Sequence, residues 1–99
     1  AQWGVYGAMV PSGGDLTING LTPGGGKRYW VCGADQTTKD VDLFLYDQGG
    51  TLLKKDDAVD PPFPRLDFRT SPDTAYSVKI LNVRSTRPSL VVVGTLELR

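Results

Sequence analysis

Five aspartates, Asp40, Asp42, Asp56, Asp57 and Asp60, crowd one stretch of the chain. Carboxylates gathered in this way are the hard oxygen donors that calcium selects, with about six to eight oxygens per ion. Asp40 and Asp42 open an apolar run, and Asp56, Asp57 and Asp60 follow the next one. If residues 41–47 and 51–55 pair as a hairpin, Asp40, Asp42, Asp56 and Asp57 could converge on a calcium ion. Against this, no Asp-x-Asp-x-Asp-Gly loop is present, and Lys39, Lys54 and Lys55 sit among the acids. Lysines so placed neutralise the acids without a metal and leave a solvated, salt-bridged rim. Calcium is the one cofactor these residues could take, and none is required.

The second candidate chemistry is contact chemistry. Phe44 and Tyr46 fall in the opposite phase to Val41, Leu43 and Leu45. If the aliphatic set is core, the two rings face outward and offer a flat, low-entropy surface to a peptide, collagen-like chain or sugar. The competing reading has Trp3, Tyr6 and Trp30 covering them. Cys32 stands alone and cannot form an intrachain bridge. It reads as a small buried apolar residue, the alternative being an exposed reactive thiol.

Other chemistries are absent from the composition. The chain has no histidine, which removes His-based acid–base catalysis, Ser-His-Asp and Cys-His pairs, and His-ligated metals. Gly24-Gly25-Gly26 has neither a Lys-Ser/Thr pair nor a helical pattern after it, so it reads as a turn. Lys and Arg number 11, Asp and Glu 11, for a net charge of zero. A nucleic acid or an anionic membrane would select for excess positive charge. Local basic groups at Arg65, Arg69, Arg84 and Arg87 are interspersed with acids. Paired carboxylates could do glycoside chemistry, but 99 residues leave little room for a substrate cleft. The expectation is a non-enzyme.

The elements that must position these residues are strands. Apolar residues recur with period two at Leu16 and Ile18, at Val41, Leu43 and Leu45, and at Leu66 and Phe68. Tyr76, Val78 and Ile80 repeat the pattern. Such alternation sends one set of side chains inward and the other to water. Turn residues separate the runs: Pro11–Gly14, Pro23–Gly26, Asp47–Gly50, Ser71–Thr74 and Arg84–Pro88. Asp47-Gln48-Gly49-Gly50 predicts a hairpin, and the last two segments are expected to close further hairpins. Pro61–Pro64 must be an extended connection or an edge. Leu90–Val93 is apolar in both phases, which predicts a central strand covered on both faces; at a sheet edge it would instead pair with another chain. Seven clear strands and a weaker one near Trp3–Met9 predict one all-β domain over residues 1–99, an antiparallel two-sheet sandwich of jelly-roll type.

Asp40-Val41-Asp42-Leu43-Phe44-Leu45-Tyr46-Asp47, then Gly49-Gly50-Thr51-Leu52-Leu53 and Asp56-Asp57, resembles bacterial pre-peptidase C-terminal domains. Gly26–Val31, Pro64–Phe68 and Thr74–Ile80 fit later and earlier strands of that family, so the resemblance covers roughly residues 15–83. It implies a jelly-roll-like sandwich carried by exported bacterial proteins, peptidases above all. Such domains are non-catalytic and assist secretion, localisation or substrate attachment, and relatives in clostridial collagenases bind collagen and calcium. Trp3, Tyr6 and Cys32 depart from the pattern.

The sequence therefore leads to a secreted or cell-surface bacterial accessory module, binding a protein or polysaccharide partner through Phe44 and Tyr46 or the acidic rim. The chain starts Ala1-Gln2 instead of with methionine, so it is either a processed product, which would suit export, or a piece of a longer protein. The alternative is a structural subunit that self-associates through strand edges.

Overall fold

The structure is a computed structural model that describes residues 3–58 and 63–98. Eight strands follow in order: β1 (Trp3–Val10), β2 (Asp15–Leu21), β3 (Gly26–Ala34), β4 (Thr38–Asp47), β5 (Leu52–Asp56), β6 (Arg65–Thr70), β7 (Tyr76–Ser85) and β8 (Ser89–Leu98). They form two four-stranded antiparallel sheets, ordered β1-β8-β3-β6 and β2-β7-β4-β5. This is the jelly-roll order, in which successive strands alternate between layers except at the β4–β5 pair.

The predicted alternation places the core. Val41, Leu43 and Leu45 on β4 and Tyr76, Val78 and Ile80 on β7 are buried, as are Trp30 and Cys32 on β3, Leu66 on β6, and Val91 and Val93 on β8. All belong to one cluster between the layers. At about 25 cal/mol per Å² of apolar surface removed from water, this shared core is the main force holding sheet to sheet.

Two expectations about connections need correction. The Ser71–Thr74 and Arg84–Pro88 turns do not close hairpins. Each carries the chain from one sheet to the other, because β6 and β8 lie in the first sheet and β7 in the second. A turn's composition fixes its local bend, whereas the layer of the next strand is set by where its apolar face finds the core. Only β4–β5 joins consecutive strands that pair with each other, and its turn forms as predicted. The Asp47 side chain accepts hydrogen bonds from the Gly49 and Thr51 amides, both at 2.9 Å. Gly50 takes φ 86°, a backbone conformation that favours glycine.

β8 is central, between β1 and β3, but it is covered on one face only. Val91 and Val93 point into the core while Leu90 is exposed, so apolar residues in both phases here do not mean burial on both sides.

Polar clamps tie the layers at their ends. Asn82, fully buried on β7, donates through Nδ2 to the Val10 carbonyl of β1 at 3.1 Å and to Ser85 Oγ at 2.9 Å. Asp35, between β3 and β4, accepts from the Thr37 amide (2.9 Å) and hydroxyl (2.6 Å), from Ser89 Oγ (3.0 Å) and from the Leu90 amide (3.0 Å). The hydrogen bond from the Thr37 hydroxyl is the largest of the influences that hold the Asp35 carboxyl far below the usual carboxylate range. The folded-state value is depressed relative to the unfolded chain. The stabilisation is therefore complete above the ordinary aspartate range and is lost as pH falls toward the folded value. Thermal melts from pH 7 to pH 2 should show an acid limb that Asp35→Asn flattens, with the variant melting below the wild type at pH 7.

Candidate functional site

The acidic stretch comes together as a neighbourhood and not as a ring of ligands. Asp40 and Asp42 lie on β4, Asp56 ends β5, and Asp57 follows it. The Asp56 carboxylate accepts from the Arg65 amide at 3.0 Å and the Ala58 amide at 3.3 Å, tying β5 to the start of β6. Asp57 pairs with Lys55 at 2.9 Å, which holds its carboxyl below the ordinary aspartate range, first through the hydrogen bond and then through charge. One carboxylate oxygen each of Asp40 and Asp42 is sheltered from solvent without a hydrogen-bond partner. Among the described residues no group of three or more carboxylate or thiol side chains is arranged to hold a metal ion. Asp60 lies outside the described residues.

Asp42 records the crowding. Partial burial, then the charges of Asp40, Asp57 and Asp56, push its carboxyl above the ordinary range, with Lys55 opposing them. A carboxyl whose folded value is raised destabilises the fold once it is ionised. Asp42→Asn should thus raise the melting temperature at pH 7 in chelator by about 1–2 °C, a small gain because solvent screens a partly exposed group. Millimolar calcium should leave both proteins where they were; a calcium-dependent rise in the wild type that the variant lacks would establish a metal site.

Phe44 and Tyr46 do sit on the outer face of the second sheet, stacked with centroids 6.5 Å apart and planes at 26°. Both are half-buried. Their cover differs from the one weighed in the sequence. Trp30 is in the core of the other sheet and Tyr6 is on β1, so neither shields them. Instead Lys79 of β7 lies 5.0 Å from the Phe44 centroid, and Lys55 is its cross-strand neighbour on β5. This face is an aromatic strip bordered by lysines and by Asp42.

The outer face of the first sheet is different in kind. Val5 (62% exposed), Met9 (62%), Val31 (51%), Leu90 (45%) and Leu96 (42%) all open onto it. The register arranges them in rows across three strands: Met9 beside Leu90; Gly7–Val92–Gly33; Val5–Gly94–Val31; and Leu96 beside Tyr29. Glycine and valine thus exchange places from one row to the next. The exposed side chains amount to about 400–500 Å², within the range of the largest apolar patch on a typical monomer, which is often functional. Its border is charged. Arg65, Asp67 and Arg69 line the same face of β6, where Asp67 meets Lys54 at 3.2 Å and Lys27 at 3.6 Å.

Of these five apolar residues the sequence draws out only Leu90, within the Leu90–Val93 run; Val5, Met9, Val31 and Leu96 carry no unusual residue type. The available signal was the second phase of β8 read together with β1, an eight-residue strand with no charged residue. Tyr76 is buried, with its hydroxyl accepting from the Ser71 amide at 2.8 Å. A cleft of about 320 Å³ opens at one end of the sandwich between Tyr6, Leu21, Pro23 and Trp30, near the lower limit of ligand pockets. Cys32 is a core residue; burial, and secondarily the Asp56 charge, push its thiol up to about 12. Ellman's reagent at pH 8 should leave native protein unlabelled and titrate one thiol per chain in denaturant.

No family model matches the sequence, and no curated protein matches it. Among solved structures, the crystal structure of Yersinia pseudotuberculosis-derived mitogen is similar in fold, at TM-score 0.74 and 21% identity. The likeness covers 98% of this chain and 86% of that one.

Proposed function

We propose that the domain is a non-catalytic binding module of an exported bacterial protein, and that it engages a protein partner through the outer face of its first sheet. The observation that carries this reading is the set Val5, Met9, Val31, Leu90 and Leu96, exposed on one face and bordered by charge. An apolar centre with a polar border is the anatomy of protein interfaces. Sugar-binding surfaces, in contrast, depend on convergent polar groups, and on this face the polar groups stand at the border and not at the centre. The resemblance of residues 40–57 to pre-peptidase C-terminal domains supports the accessory role and the exported setting. Secretion or localisation would follow from the same contact. The Phe44–Tyr46 strip is the second candidate surface, favoured by its stacked rings.

The two faces separate by mutation. Immobilised collagen, gelatin, a panel of glycans and the protein itself are presented to wild type, Leu90→Lys and Tyr46→Ala. Retention on a protein ligand that Leu90→Lys lowers at least tenfold, and Tyr46→Ala leaves unchanged, is the expected result. Loss with Tyr46→Ala alone would move the site to the second sheet. Retention indifferent to both variants would remove both surfaces.

A further inference from the structure

The pattern of knobs and hollows on the first sheet identifies a partner, and the argument rests on that face being a contact surface. The Gly7–Val92–Gly33 row presents hollow, knob, hollow, and the adjacent Val5–Gly94–Val31 row presents knob, hollow, knob. Consider a two-fold axis in the plane of the face, perpendicular to the strands and passing between these rows. It lays each row on the other. Val92 of one copy then stands over Gly94 of the second, Val5 and Val31 stand over Gly7 and Gly33, and Leu90 meets Leu96. In the two central rows every knob of one copy meets a hollow of the other, and Leu90 and Leu96 pack side by side beyond them, which is the self-complementarity a two-fold interface requires.

We infer that this face pairs with a second copy of the same chain, sheet against sheet, to form a two-fold dimer. The size agrees. A standard interface removes about 800 Å² per partner and is a little over half apolar, a need of roughly 450 Å² that this patch meets. Strands of face-packed sheets run within about 30° of each other, and the two-fold keeps each strand over its own copy. Charge does not oppose the pairing: the chain is neutral, and Lys27, Arg65, Asp67 and Arg69 fall at the border. One hollow resists filling from within the chain itself: a Cβ at Gly7 would come within 2.9 Å of Val92 Cγ1 and 3.3 Å of the Val91 carbonyl.

Gly94 provides the test, because a Cβ there meets only Val31 Cγ2 at 3.6 Å and the Gly4 carbonyl at 3.9 Å, both ordinary contacts. Gly94→Leu fills the hollow and makes the surface more apolar. A merely sticky patch would associate more strongly, an edge-to-edge pair through β1 would not respond, and the proposed dimer is lost. Sedimentation equilibrium from micromolar to several hundred micromolar should give twice the 10.7 kDa chain mass for wild type. Association should weaken at least tenfold in Gly94→Leu and in Leu90→Lys, and stay unchanged in Thr17→Lys on the other sheet. Leu90→Lys stands in if Gly94→Leu does not give a native circular dichroism spectrum. A wild type that stays monomeric, or a Gly94→Leu protein that associates as well as wild type, overturns the dimer. A monomer whose retention on a protein ligand still depends on Leu90 would leave the binding-module reading in place.

Discussion

Each strand has two faces, and the shared core can take only one of them. That constraint organises the molecule. Val41, Leu43, Leu45, Val78 and Ile80 from one layer and Trp30, Val91 and Val93 from the other fill the interior completely. What remains is the outward phase of eight strands, and the two sheets use it differently. The second sheet dresses it with Asp42, Lys55 and Lys79 around two half-buried rings. The first leaves it to valine, leucine, methionine and glycine. A soluble sandwich has no structural use for the second arrangement, since exposed apolar area on a sheet face adds nothing to the core and invites association. The two layers are equivalent toward the core and unlike toward solvent.

Much of the architecture was legible from residue types. Period-two alternation located β2, β4, β6 and β7 and assigned the core phase of β4 and β7, whereas the segment that forms β1 gave only a weaker strand signal. The Asp47–Gly50 turn could be read because its chemistry is local: an aspartate side chain capping two amides and a glycine at positive φ. Layer assignment was not legible. Ser71–Thr74 looks like a hairpin turn because the residues that bend a chain are the same whether the next strand pairs with the last or crosses over it. The cover of Leu90–Val93 was misread for a related reason. Two apolar phases state what each face tolerates, and only the tertiary arrangement shows whether anything lies on it.

Legibility of the candidate site divides in the same way. Aspartates and aromatics attract notice as residue types, and the structure places them together as neighbours: a crowded acidic edge with its charges partly paired, and a stacked pair under Lys79. The apolar face is assembled from β1, β3 and β8, far apart in the chain and composed of common residues. Its glycine–valine exchange exists only across strands, through pairings that set Val92 between Gly7 and Gly33. No linear pattern encodes it. The resemblance to pre-peptidase C-terminal domains rests on 40–57, which lies in the other sheet, so it speaks to the accessory role and has no bearing on this surface.

The pairing of β1 with β8 has a consequence for biogenesis. During synthesis β1 emerges long before β8, its neighbour in the sheet among the described residues and the last of the domain's eight strands in chain order. Until then an uncharged ribbon of eight residues has no native partner, and neither does the layer that depends on it. Topologies dominated by such distant pairings assemble slowly, and their incomplete forms are prone to aggregate. Holding this segment soluble until β8 has been made is therefore a task for whatever escorts the nascent polypeptide, and the cell must solve it before the finished domain can do anything else.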